Sequence, residues 1–292
     1  MNTGMNRRTA LLAMLALPIG SKLTGQSTQR DWLPLFNGTD LTGWETYLGK
    51  PHKLSDVPGL VRNAQGDYTA PVGLNADPNH VFTVVRMDDG PVIRVSGEIY
   101  GGLITAQAYE NYHLRFEFKW GDKRWPPREQ AVRDTGCCYH SVGPHDASYG
   151  FWMKSFEFQI QEGDCGDFYS LAGVIVDAEA VVRDPSNPKS DLAFKRGAPV
   201  IVGTTKRVIK DPDAERPRGS WNVMELYCVG QTSVHVVNGR TNMVLRGLRH
   251  IVDGREVPLT KGRIQFQSEA AEVYYRNIAI REIGEIPPAV LA

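Results

Sequence analysis

The chain has 292 residues, of which 41% are hydrophobic and 23% charged, so it can bury a sizeable core. Its 33 basic and 33 acidic side chains balance to a formal net charge of zero at pH 7. Without a basic excess, the protein has no general electrostatic attraction to nucleic acid or to an anionic membrane surface. We therefore expect no nucleic-acid partner, whereas enzymes, small-ligand binders and structural domains stay open.

The first 28 residues have the pattern of an export signal. Arg7 and Arg8 precede the apolar run LLAMLALPIG, and the polar stretch SKLTGQSTQ follows. The run is too short to cross a bilayer as a helix and fits the apolar part of a signal peptide. NRRTALL also resembles a twin-arginine export signal, and a disordered start is the alternative. We expect a signal peptide over residues 1–28, an exported protein that is periplasmic or secreted, and no transmembrane segment after cleavage.

Four cysteines do not make a disulfide framework in a chain of this length. Cys137 and Cys138 are adjacent, so on a strand they point to opposite faces, and only one of them could easily reach Cys165 or Cys228. Export permits one disulfide, and buried or incidental thiols fit the pattern equally well. No CxxC pair occurs, which argues against structural zinc.

From residue 31 onward, short β-rich stretches alternate with turns that contain Pro and Gly. In YHLRFEFK at 112–119, apolar and polar residues alternate strictly, which is the period of a strand with one buried face. Asn238-Gly239 between two such stretches predicts a type I′ hairpin turn. No sustained amphipathic helix and no linker-like stretch is visible. We predict an all-β fold, a jelly-roll β-sandwich of two antiparallel sheets in one domain over 31–285, with a C-terminal tail over 286–292.

The stretch FEFQIQ at 156–161 places a carboxylate and two amides on one face of a predicted strand. Such a row suits sugar hydroxyls, which both donate and accept hydrogen bonds. A solvated face of an antiparallel sheet would show the same alternation. Two further predicted strands with polar faces favour the sugar-binding interpretation. The three polar rows are Glu157, Gln159 and Gln161; His140 beside Cys138; and Gln265, Gln267 and Glu269.

The acidic stretch EGDCGD at 162–167 fits a tight turn, the rim of a sugar pocket or a cation site. His140 or His145 could join Glu157 or Glu162 as ligands of a divalent cation. No dense ligand spacing supports this, and the stretch lacks the EF-hand pattern. The sequence thus predicts no definite cofactor and leaves a divalent cation as the alternative.

Six motifs in chain order resemble the 3-keto-disaccharide hydrolase domain family. The match runs from about residue 35 to 283. It implies a concanavalin-like jelly-roll β-sandwich that acts on carbohydrate. The motifs are LFNGTDLTGW, GGLITAQAYENYHLRFEFKW, DTGCCYH, FEFQIQEGDCGDFY, WNVMELYCVGQTSVHVVNGR and GRIQFQSEAAEVYYRNIAIREI.

The resemblance also implies a chemistry, since some members act on glycosides already oxidised to a ketone at C3. The ketone acidifies the C2 hydrogen, so a base can remove it and expel the C1 substituent, and water can then add to the unsaturated product. Such a site needs a base near the proton and a cation or donor at the developing enolate oxygen. We expect an exported carbohydrate-active hydrolase or lyase of 3-keto-disaccharides. The alternatives are a non-catalytic, lectin-like sugar-binding module and a partner-binding structural domain.

Motif positions assign the site residues, although His140 stands where the family more often has an arginine. Trp152 flanks the polar region and could stack on a sugar face, with core packing as the alternative. The predicted catalytic residues are Glu157, His140 and Glu269, and the predicted substrate-binding residues are Gln159, Gln267, Glu162 and Trp152.

Overall fold

The structure, a computed structural model, describes Met1 and residues 31–292. The predicted signal peptide lies, except for Met1, outside the described residues, so export stays a prediction that the N-terminal sequence of the mature protein checks. Within the described part, no helix is long and apolar enough to cross a membrane. That part forms 21 strands and one short helix.

The strands are β1 (Leu33–Pro34), β2 (Trp44–Leu48), β3 (Gly73–Leu74), β4 (Phe82–Met87), β5 (Gly90–Val95), β6 (Gly101–Thr105), β7 (Tyr109–Glu110), β8 (Tyr112–Arg124), β9 (Asp134–Val142), β10 (Lys154–Gln161), β11 (Phe168–Leu171), β12 (Ile175–Val182), β13 (Leu192–Phe194), β14 (Val200–Thr204), β15 (Val208–Ile209), β16 (Asn222–Val229), β17 (Thr232–Val237), β18 (Arg240–Val252), β19 (Arg255–Pro258), β20 (Lys261–Ser268) and β21 (Ala271–Glu282), and the helix is α1 (Pro288–Leu291).

Two sheets pack face to face. Sheet A has the order β4-β5-β21-β8-β16-β17-β18-β12-β14, with β1 beside β21 and β19 beside β18. Sheet B has the order β3-β2-β6-β20-β9-β10-β11-β15-β13, with β7 beside β20. All of these neighbours are antiparallel except β13 and β15. The predicted all-β, concanavalin-like jelly-roll sandwich is confirmed.

Alternating side chains send one face of each sheet into the core. Phe156, Phe158 and Ile160 of β10 are fully buried in the space between the sheets, as are Phe116 and Phe118 of β8. Burial of a large apolar side chain stabilises the fold by roughly 1.5–3 kcal/mol. Because successive residues of a strand point to opposite faces, the polar residues between these aromatics project from the outer faces.

Strand β12 belongs to both sheets. Its first half, Ile175–Ala178, pairs with β18 and β14 in sheet A. Its last three residues, at 180–182, pair with β13 in sheet B. The two layers are therefore joined by hydrogen bonds as well as by the core.

The predicted hairpin turn and the four cysteines are both described by the structure. Asn238 and Gly239 have φ values of 49° and 77°, and they join the paired residues Val237 and Arg240. Positive φ at both central residues is the signature of a type I′ turn, so the predicted hairpin is confirmed. All four cysteines are free and buried, without the disulfide that export would permit.

The predicted C-terminal tail is packed against the domain. Val290 and Leu291 of α1 lie against the core. The Thr241 hydroxyl of β18 donates a hydrogen bond to the Val290 carbonyl at 2.7 Å. The last turn of the chain is therefore part of the surface of the sandwich.

Candidate functional site

A cleft of about 460 Å³ opens on the outer face of sheet B. This volume lies within the range of small-ligand sites. Its floor is formed where β9 runs between β10 and β20, and the register places Gln159 opposite Gly136 and Gln161 opposite Asp134. The described residues that line the cleft with polar side chains are Arg128, Asp134, Glu157, Gln159, Gln161, Ser170, Gln267 and Glu269, together with the tyrosines at 100, 149 and 169.

One wall of the cleft is aromatic. The rings of Tyr100 and Trp152 stack with centroids 6.1 Å apart, and Phe151 meets both rings edge-on. Trp152 is held in place because its indole Nε1–H donates to the Gly101 carbonyl at 2.9 Å. Tyr149 stands at the same wall with its ring 6.1 Å from that of Trp152. Aromatic faces beside carboxylates and amides are a common environment for a sugar ring.

Glu157 lies on the floor beside Gln267, and both depend on the glycine between them. A Cβ atom on Gly136 would lie 2.2 Å from Glu157 Oε1 and 2.5 Å from Gln267 Oε1, so only glycine leaves room for both. Burial, helped by the neighbouring Asp134 carboxylate and opposed by Gln267, raises the pKa of Glu157 to about 8. This carboxyl therefore exchanges its proton near neutral pH.

Arg128 bridges the two other carboxyls of the cleft. Its Nη2 lies 2.8 Å from Asp134 Oδ2, and its Nη1 lies 3.4 Å from Glu269 Oε1. Burial raises the pKa of Asp134 to about 6, against the effects of Arg128 and of Gln161, whose amide donates to Asp134 at 2.5 Å. Burial and the other two carboxylates raise the pKa of Glu269 well above its ordinary value. Arg128 is the one cationic side chain among the described lining residues. The different surroundings of Asp134 and Glu157 separate the pKa values of these two carboxyls.

Several buried polar atoms at the floor form no hydrogen bond of good geometry with the residues that the structure describes. They are the amide oxygen and nitrogen of Gln267 and Oδ1 of Asp134. A buried polar atom without a hydrogen bond costs about 1–3 kcal/mol, so such atoms need a ligand or water. Their position in the cleft indicates that a polar ligand completes the site.

The structure brings five of the seven predicted site residues together in the cleft. The two exceptions, His140 and Glu162, do not line the cleft. The five are Glu157, Gln159, Gln267, Glu269 and Trp152.

His140 was predicted to share the outer face with Cys138, and this is wrong. The pairing register of β9 slips on both sides of this residue, and its φ of 50° marks the irregularity. The bulge turns the imidazole into the core, where it meets the Tyr112 ring edge-on and its Nδ1–H donates to the Leu259 carbonyl at 3.1 Å. Burial lowers the pKa of His140 to about 4, so the ring is neutral and structural in this position.

Glu162 was predicted to bind substrate, but it faces away from the cleft. Its two carboxylate oxygens accept hydrogen bonds from the backbone and the guanidinium of Arg133, each at 3.0 Å. In the same turn, the Arg207 guanidinium lies 2.5 Å from the fully buried Asp167 and 2.8 Å from Asp164. EGDCGD is therefore a tight acidic turn neutralised by cations from a neighbouring segment.

The alternative of a bound divalent cation stays a prediction. Across residues 31–292, no group of three or more His, Cys, Asp or Glu side chains converges in a way that could hold a metal ion. His145 lies 4.0 Å from Glu45 and stacks on Tyr47, away from the floor of the cleft.

Three important residues of the cleft were missed in the sequence. Asp134 begins the strand DTGCC, and the period of two from Asp134 through Gly136 to Cys138 could have placed it on the same face as Glu157. Arg128 and Tyr100 lie outside the strands of the floor, and no periodic signal links them to the site.

Comparison with known proteins supports the resemblance seen in the motifs. Residues 31–281 match the 3-keto-alpha-glucoside-1,2-lyase-like domain. No curated protein matches the chain.

Solved structures with a similar fold are distant in sequence. Two come from Parabacteroides distasonis and are provisionally described as glycosyl hydrolases. One is 19% identical over 87% of this chain and 100% of its own, with a TM-score of 0.45, and the other is 16% identical over 86% and 94%, with a TM-score of 0.46. A β-glucanase from Bacillus licheniformis is 11% identical over 89% and 99%, with a TM-score of 0.40. The family match covers most of the sequence and includes every strand of the cleft floor, so the chain belongs to the carbohydrate-active family of 3-keto-α-glucoside-1,2-lyase-like domains.

Proposed function

We propose that the protein cleaves the glycosidic bond of 3-keto-glycosides in the cleft on sheet B. The observation that carries this proposal is Glu157, a fully buried carboxyl whose pKa is raised to about 8 at the floor of a cleft large enough for a sugar. A general base is most effective when its pKa lies near the working pH. The amides of Gln159 and Gln267 line the same cleft and, in this proposal, bind hydroxyls of the same ring.

The proposed reaction begins when the Glu157 carboxylate takes the proton from C2. The C–H electron pair becomes the C2–C3 double bond of an enolate, whose negative charge develops on the C3 oxygen. Arg128 is the cation of the cleft and the group best suited to stabilise this oxygen. Its guanidinium has five N–H donors, so it can bind a substrate oxygen while it still contacts Asp134.

In the second step the enolate returns its electron pair to form the C1–C2 double bond, and the bond from C1 to the glycosidic oxygen breaks. In this proposal Glu269, whose pKa is raised by burial and the other two carboxylates, supplies the proton to the departing oxygen. Addition of water at C1 and return of a proton to C2 complete a net hydrolysis.

A sugar-binding module without catalysis is the second candidate, and the aromatic wall favours it. Tyr100 and Phe151, which are partly buried and pack against the buried Trp152, would support stacking of a sugar without any need for a base. The two functions differ in one observable result, since a binding module retains the glycoside intact.

The test compares a 3-keto-disaccharide with its unoxidised parent, each incubated with the purified protein. We expect cleavage of the keto compound alone, because only the ketone acidifies C2. Glu157→Gln is expected to reduce kcat by at least about a hundredfold, the usual effect of removing a general base. Glu162→Gln is the matched control, since that carboxylate faces away from the cleft. Binding without cleavage would favour the module, and full activity of Glu157→Gln would refute the role of Glu157.

A further inference from the structure

We propose that Tyr149 is a stacking platform for the second sugar ring, the one that leaves when the glycosidic bond breaks. This inference rests on the proposed function and extends it from the reacting sugar to the leaving group. It makes the protein selective for disaccharides over glycosides with a small substituent at C1.

The first observation is that Tyr149 contributes little to the packing of the fold. The residue is 77% exposed, the highest value for an aromatic residue in the described part of the chain. Its φ of 54° lies in the left-handed region, which is unfavourable for a bulky side chain. A conformation of this kind costs on the order of 1–3 kcal/mol and concentrates at functional sites. The chain thus keeps an aromatic ring where its own stability would favour glycine or asparagine.

The second observation is that the loop holds this ring firmly. Ser148 and Trp152 exchange two backbone hydrogen bonds, of 2.8 and 3.1 Å, on either side of Tyr149. Phe151 packs so closely on Gly49 that a Cβ there would lie 2.4 Å from the Phe151 ring. A ring presented on a fixed turn loses little conformational entropy when a ligand stacks on it.

The third observation is the position of Tyr149 relative to the chemistry. Glu157 is 4% exposed on the floor of the cleft, whereas Tyr149 lines the same cleft from its exposed rim. A sugar whose C2 reaches Glu157 occupies the floor, and its C1 substituent then extends toward solvent. At that rim, the Tyr149 ring offers the substituent an exposed aromatic face.

The experiment measures kcat and KM for two substrates that share the same reacting 3-keto sugar. One is the disaccharide, and the other is the methyl glycoside. Tyr149→Asn is expected to raise KM for the disaccharide about three- to tenfold, the range of an aromatic contact, and to leave KM for the methyl glycoside unchanged. Tyr149→Phe keeps the ring and should behave as the wild type. Tyr149→Asn should also raise Tm, whereas a residue needed for packing would lower it.

Equal effects on both substrates, or no effect on either, would overturn the platform. A wild-type protein that cleaves neither compound would refute the proposed catalysis without deciding the role of the ring. Kd values of the same two compounds, measured by calorimetry, then provide the decision. If Tyr149→Asn weakens binding of the disaccharide and leaves binding of the methyl glycoside unchanged, the platform is supported. If the variant shows no such selective loss, or if either compound fails to bind to the wild type, the platform is refuted.

Discussion

Gly136 leaves room for the side chains of Glu157 and Gln267 on the cleft floor, because it has no side chain of its own. Its φ is not in the left-handed region, so alanine is compatible with the backbone, and the atoms nearest to the added methyl group are at the ends of the Glu157 and Gln267 side chains. We therefore expect Gly136→Ala to fold and to displace both side chains. A displacement of about 1 Å at a reacting group can cost on the order of a hundredfold in rate.

The measurement for Gly136→Ala is kcat/KM together with Tm. Gly284→Ala is the matched control, because a Cβ at that glycine meets no atom within 4 Å. Unchanged kcat/KM in Gly136→Ala would mean that the positions of Glu157 and Gln267 do not limit the reaction.

At the residue scale, the sequence was sufficient for side chains that follow the period of a strand. Glu157 and Gln159, and likewise Gln267, could be assigned to one face because neighbours two apart share it. Arg128 could not be assigned in this way, since it lies in the loop before β9 and its partners Asp134 and Glu269 follow it by 6 and 141 residues. Contacts of that kind are set by the fold and leave no local pattern.

At the scale of elements, the bulge in β9 determines which face of the sheet the His140 side chain occupies. Alternation alone assigns every second residue of a strand to one face, and a bulge shifts that assignment by one residue. The stretch DTGCCYH contains no glycine or proline at the bulge itself, so the shift was invisible in the sequence. The same bulge explains why a histidine that stands in a family motif is absent from the cleft.

His140→Ala tests this structural role. The variant loses a buried ring and the hydrogen bond to the Leu259 carbonyl. We expect the free energy of unfolding, measured with urea, to fall by about 2–4 kcal/mol. The folded protein should keep its kcat within about twofold, because the ring does not line the cleft. A large fall in kcat with unchanged stability would instead place His140 in the chemistry.

For the whole molecule, the buried carboxyls predict a pH dependence of stability. The pKa of Glu157 is raised from 4.5 to about 8 on folding, so the folded state binds a proton that the unfolded state has released between these values. The contribution of Glu157 to the free energy of unfolding is therefore fully present below pH 4.5. It is lost as the pH rises from 4.5 toward 8, because only the unfolded state has released the proton in this range. The expected slope is about −1.4 kcal/mol per pH unit within that window.

Urea unfolding of the wild type and of Glu157→Gln from pH 4.5 to 9 measures this contribution. The difference in unfolding free energy should shift in favour of the variant up to about pH 8 and then become constant. A difference that stays flat across the window would mean that Glu157 keeps an ordinary pKa in the folded protein.

The global architecture was the most predictable level. Short alternating stretches separated by turns specify two antiparallel sheets without any knowledge of which strands pair, and the order of six motifs specified the family. The strand pairing that creates the cleft is harder to predict from sequence, because the paired residues of β9 and β20 are more than 120 positions apart in the chain. The location of the site depends on that contact.

Strand β12 pairs in both sheets, and this restricts how the molecule can unfold. Its amide hydrogens are held in sheet A at one end and in sheet B at the other, so neither layer can be peeled away while the strand stays intact. Amides of β12 should therefore exchange with deuterated solvent only through global unfolding, at the rate of the slowest amides in β8 and β10. The sandwich should melt as one cooperative unit, and the carboxyls of the cleft should remain sheltered until the whole fold is lost.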